Sequence, residues 1–277
     1  MKIQIIDTFP QIVEYKEDNI EFSLETYKTY ANGISPSLYK KCFDDASRYD
    51  YEKDLMPVLN DALYRHFDRI ESAHSSIAEI QSFLPEKASK LFDVDLDITI
   101  LFYLGLCNGA GWATAMDGNP AILLGVEKIA ELGWHDKDGM CDLICHETAH
   151  LLHFALRKDM PKPCQPIWQL YTEGFASRVS QLLYKEDFYH QNQDGWLSFC
   201  SENIRKIKQT YGKCLAKGES TNCFFGDWNT FMGQSNIGYY LGCEFVRELE
   251  KRYTVQNIAI LTTDAIKKEL ALFLNEE

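Results

Sequence analysis

One stretch limits what this chain can fold into. Residues 96–126 carry the concentrated strand signals, and helical patterns stand on both sides of them. Leu96-Asp97-Ile98-Thr99-Ile100-Leu101-Phe102-Tyr103-Leu104 is rich in β-branched and aromatic residues and reads as a buried strand. Asn108 to Gly111 reads as a turn or loop. Trp112–Met116 and Ala121–Val126 then flank Asp117-Gly118-Asn119-Pro120, a strong hairpin signal. A sheet this small cannot make a core alone, so helices must cover it. The fold class expected is α+β.

The flanks supply those helices. Leu55, Val58, Leu59, Leu63, Phe67 and Ile70 recur at the spacing of one helix face, and a second helix is expected from Ser76 to Phe92, broken or kinked near Pro85. The alternation in Met1–Asp7 reads as a short strand, and Glu127–Leu132 as a short helix. From Asp138 onward the pattern is helical, with interruptions around Pro161-Lys162-Pro163 and from Gly212 to Gly226. The chain is therefore expected to be one unit over residues 1–277. Its first lobe (1–135) combines helices with the sheet, and its second (136–277) is helical.

Composition narrows the partners. A formal net charge of −13 opposes nucleic acid and anionic membrane at long range, so neither is expected. No run of about 18 uncharged apolar residues suits a membrane span. The amino terminus lacks the apolar stretch of a secretory signal. Nine cysteines without regular spacing fit reduced thiols and a cytoplasmic location.

The chemistry concentrates at Cys141-Asp142-Leu143-Ile144-Cys145-His146-Glu147-Thr148-Ala149-His150. On a helix, residues four apart lie one above the other, so His146 and His150 can present two imidazoles to one ion. Glu147 projects from the neighbouring edge, within reach of water at the ion but not of the ion itself. A hydrolytic zinc site needs this combination of two ligands and an adjacent base. Glycine at 153 and histidine at 156 would mark one subclass, but those positions are His153 and Leu156. The third ligand is sought downstream, where Tyr171-Thr172-Glu173-Gly174-Phe175-Ala176 lies inside a new helical segment. Gly174 and Ala176 are expected to let that helix approach the histidine-bearing one, with Pro161, Pro163 and Pro166 supplying the reversal. Glu173 is the leading candidate, with Asp187 and His190 behind it. His153, two turns beyond His146, reads as a buried supporting histidine rather than a ligand.

At this point the sequence resembles the gluzincins, metallopeptidases whose two histidines are completed by a glutamate on a second helix. The Glu173-Gly174-Phe175-Ala176 stretch is similar to the glutamate segment of neutral aminopeptidases. Ile237-Gly238-Tyr239-Tyr240-Leu241-Gly242 is similar to a glycine–tyrosine segment of thimet-type oligopeptidases, and to one in uncharacterised families described as predicted zinc-dependent proteases.

The resemblance implies a zincin-like fold with an antiparallel edge strand and a Zn2+ site at the junction of the lobes. It implies His146, His150 and Glu173 as ligands, Glu147 as general base, and Tyr239 or Tyr240 as the donor that stabilises the oxyanion. An extended peptide or small protein substrate would pair with Gly111, Trp112 and Ala113. Thermolysin-like members carry an aspartate where this chain has Ser177; Asp142 is the alternative source of that support. The same ligands also suit a hydrolase of non-peptide amides or esters, or a regulatory protein with an idle zinc site.

Overall fold

The computed structural model describes residues 1–157 and 165–275. It is mainly helical, with one mixed four-stranded sheet in the order β1-β2-β4-β3, where β1 is Ile3–Asp7, β2 Ile98–Tyr103, β3 Gly111–Met116 and β4 Asn119–Gly125. The α+β class expected from the sequence is therefore observed. By its contacts the chain divides into Met1–Ser89 with Asp95–Glu147, and Lys90–Val94 with Thr148–Glu277.

The first unit holds the sheet. β1 pairs with β2 in parallel, Ile3 opposite Ile98, and β2 pairs with β4 in parallel. β2 and β4 are buried almost throughout, as strands covered on both faces must be. β3 returns antiparallel to β4 and forms the sheet edge. Asp117 and Gly118 make the turn, both with positive φ (50° and 83°), as a two-residue hairpin turn requires. The hydroxyls of Ser35 and Ser37 donate to the Asp117 carboxylate and fix it further.

Helices α1 (Phe9–Glu17), α2 (Leu24–Ile34), α3 (Pro36–Ala46), α4 (Met56–Tyr64), α5 (Phe67–Ile77), α6 (Leu84–Leu91) and α7 (Val126–Leu132) accompany the sheet. One expectation needs correction here. The apolar face from Leu55 to Ile70 is not one helix: α4 ends at Tyr64, Arg65 and His66 both donate to the Asp61 carbonyl, and α5 starts at Phe67. The run from Ser76 is broken near Pro85, one of the two outcomes the sequence allowed. A 3-10 segment covers Ala78–Ser82, and Pro85 sits in the first turn of α6, where its missing N–H costs nothing.

The second unit is helical, built from α9 (Pro166–Leu183), α10 (Trp196–Glu202), α11 (Ile204–Lys217), α12 (Ile237–Glu250), α13 (Val255–Ala259) and α14 (Thr263–Asn275). Gly212 lies inside α11 rather than at an interruption. The helix ends at Gly218, whose φ of 67° suits the left-handed position after a helix. The expected turn at Pro161 and Pro163 lies outside the described residues. Among the described residues no disulfide links the cysteines, and no helix is long and apolar enough to cross a membrane.

One further helix, α8 (Lys137–Leu156), runs through the division of the chain. Every residue from 139 to 153 in it is buried. A helix buried all round is normally apolar all round. This one buries Asp142, His146, Glu147, His150 and His153. Burying five such groups is costly unless each has something to bind, so this helix is where function is to be sought.

Candidate metal and catalytic site

His146 and His150 stand one turn apart on α8, and Glu173 reaches them from α9. Their candidate donor atoms all lie within 4.8 Å of one another. Between His150 Nε2 and Glu173 Oε2 the distance is 3.2 Å. Two donors at about 2.0–2.1 Å from a tetrahedral zinc ion stand about 3.3 Å apart, so this pair already has the required separation. Two imidazoles and one carboxylate leave a fourth position for water. The donor set fits a catalytic zinc ion.

Glu173 is set in place by glycine, but not as the sequence suggested. A Cβ on Gly174 would meet the Cα, C and O atoms of Gly242 at 2.2–2.5 Å, and one on Gly242 would meet the Leu170 carbonyl oxygen at 2.5 Å. Gly174 is therefore small to admit α12, not the histidine-bearing helix. The two glycines let the backbones of α9 and α12 touch, and Glu173, next to Gly174, is carried by that contact. Ser177 donates its hydroxyl to the Glu173 carbonyl within α9. The other candidates for third ligand serve elsewhere: Asp187 pairs with Arg247 at 2.5 Å, and His190 Nε2 is hydrogen-bonded to Gln191.

Glu147 is buried, with 7% of its surface exposed. Its Oε2 accepts the backbone N–H of Ala113 at 2.8 Å. A Cβ on Gly111 would lie 2.7 Å from both Cγ and Oε1 of Glu147 and 2.9 Å from a Leu143 methyl. Two of the three residues expected to bind substrate thus lie against the expected base. Trp112 faces the other way, as alternation along a strand demands. The Lys41 ammonium on α3 sits 5.2 Å from the Trp112 ring centroid and donates to the Thr114 hydroxyl.

His153 is fully buried among Trp168, Tyr171 and Phe175, with Nε2 3.1 Å from the Ala259 carbonyl oxygen. Burial pushes its pKa down to about 3, helped by the nearby His150 and Arg157, so the ring is neutral and donates to that carbonyl. Arg157 donates to the Ala259 and Leu261 carbonyls, and Tyr171 to that of Ile258. Together these side chains hold the carboxyl-terminal end of α13 and Leu261 just beyond it.

The two tyrosines differ. Tyr240 is packed against Tyr189 and Trp196, and burial raises its pKa to about 12. Tyr239 is half-buried, with its ring edge-on to Phe225. Asp142 is buried on α8.

Sequence reasoning missed Glu127. It is fully buried, and its two oxygens accept the N–H groups of Gly105 (2.6 Å) and Cys107 (3.1 Å). That grip shapes the loop entering β3. The available signal was a carboxylate directly after a strand, surrounded by glycines at 105, 109 and 125. Comparison with protein-family models, with curated proteins and with solved structures finds no match to this chain.

Proposed function

We propose that this chain is a zinc-dependent hydrolase that cleaves peptide bonds, with the metal held by His146, His150 and Glu173. The observation that carries the reading is the convergence of those three donors, with the Glu147 carboxylate next in sequence and lying against an antiparallel edge strand. Bound there, zinc would supply Lewis acidity toward a carbonyl oxygen and make water nucleophilic near neutral pH.

The chain's own residues do the rest. Glu147 takes the proton of the attacking water on its carboxylate and returns it to the departing amine nitrogen. A peptide laid along β3 would have its backbone oriented by the strand's outward N–H and C=O groups. Tyr239 is assigned as the hydroxyl donor to the developing oxyanion, since Tyr240 is enclosed by Tyr189 and Trp196.

Metal analysis of the purified chain, combined with digestion of a peptide library by wild type and Glu147→Gln, tests the reading. One equivalent of zinc in both proteins, with cleavage only by wild type, is the expected result. A native preparation with no affinity for zinc, or a variant that cleaves as fast as wild type, would sink it.

A further inference from the structure

The hydrogen bond between Ala113 and Glu147 occupies an unusual place. The Gly125 N–H donates to the Ala110 carbonyl at 3.1 Å, which fixes the alternation of the β3–β4 ladder. Residues 112, 114 and 116 therefore point their N–H groups at β4, while Gly111, Ala113 and Ala115 point theirs outward from the sheet. β3 is the last strand in its order, so that row is what an added strand would pair with. Glu147 Oε2 already holds the donor of Ala113.

An extended peptide and Glu147 thus need the same N–H. We propose that the Ala113 N–H is a latch: it holds the Glu147 carboxylate until an extended peptide pairs with β3, and the peptide's carbonyl then takes that N–H and releases Glu147 for proton transfer. This rests on the hydrolase reading and adds substrate selection to it. Only a chain long enough to lie along the strand can open the latch. A short amide or ester would meet a carboxylate still tied down. Ala113 is on this view a positioning residue, acting through Glu147. The exchange forms one hydrogen bond as it breaks another, so selection comes from length and extended shape rather than from added affinity.

Gly111 belongs to the same device. With no Cβ, it lets Glu147 lie flat against the strand; a methyl there would stand 2.7 Å from two of its atoms.

The test reads the Ala113 amide directly, in the zinc-loaded protein carrying 15N-alanine. Replacing Glu147 by alanine should speed hydrogen exchange at Ala113 at least tenfold, and acetyl-(Ala-Val)3-amide added to that variant should restore the protection. Unchanged exchange in Glu147→Ala, or no protection from the peptide, would overturn the latch.

A second arm uses Ala113→Pro, which removes the donor at an edge position where proline is tolerated. Cleavage of ten-residue peptides should fall at least tenfold, while hydrolysis of a single-residue chromogenic amide rises threefold or more. A parallel fall of both in a variant with native circular dichroism would also overturn it. Should wild type cleave nothing, the hydrolase reading fails, while the exchange data still decide who holds the Ala113 N–H.

Discussion

Glu127 and Glu147 are two buried carboxylates of the same unit, and the contrast between them separates structure from chemistry. Both accept backbone N–H groups, and both are approached by glycines whose Cβ would collide with them. Glu127 is wholly enclosed and uses both oxygens, each on a different peptide of the loop before β3. Glu147 accepts one N–H with one oxygen and keeps slight exposure. A carboxylate with both oxygens committed can shape a loop but cannot exchange partners. One tied by a single bond can.

The sharpest way to break the contrast is at Glu147. Glu147→Gln should keep the zinc and the fold and lower turnover about a thousandfold, within the usual range for losing a general base. Zinc content, circular dichroism and initial rates check this; a loss of stability matching the loss of rate would make Glu147 a second structural carboxylate.

Next comes pH. Burial pushes the Glu127 pKa up to about 7, against the opposing pull of the Gly105 and Cys107 N–H groups and of Lys128. In the unfolded chain a glutamate ionises near its ordinary value of about 4.3. The folded state therefore keeps a proton that the unfolded state has released, and stability falls as pH rises between those values. Urea denaturation should show wild type losing about 3 kcal/mol relative to Glu127→Gln from pH 4.5 to 7.5. A flat difference would mean that the two backbone donors fully offset burial.

The smallest effects sharpen the comparison. A Cβ on Gly105 would lie 2.5 Å from Glu127 Oε1, and the carboxylate, with a backbone donor on each oxygen, cannot yield. Gly105→Ala should therefore cost about 1–3 kcal/mol. Gly111→Ala displaces the singly tied Glu147 and should cost less in stability while reducing turnover. Equal stability losses by thermal melting would erase the distinction.

Local chemistry was legible in the sequence, and long-range pairing was not. The four-residue spacing of His146 and His150 is a property of any helix, so their shared face could be read directly. The Asp117-Gly118 turn was equally plain, since its positive φ values select those residues. Glu173 was singled out by its place inside a new helical segment beside the small residues Gly174 and Ala176. The partner of Gly174 was not, because a small residue announces a close approach without saying to what. Nor could the sequence show that Ile3 pairs with Ile98, because parallel strands distant in sequence carry no local mark of one another. The break after Tyr64 escaped notice because its apolar spacing continues across two helices.

The meeting of Gly174 and Gly242 has a consequence for ancestry. Neither glycine offers a ligand atom, yet a methyl at either would drive two main chains apart and carry the Glu173 carboxylate with them. If Glu173 is a ligand, selection on it would extend to two positions with no chemistry of their own. A remote cousin of this chain, altered at most of its surface, would still be betrayed by that matched pair.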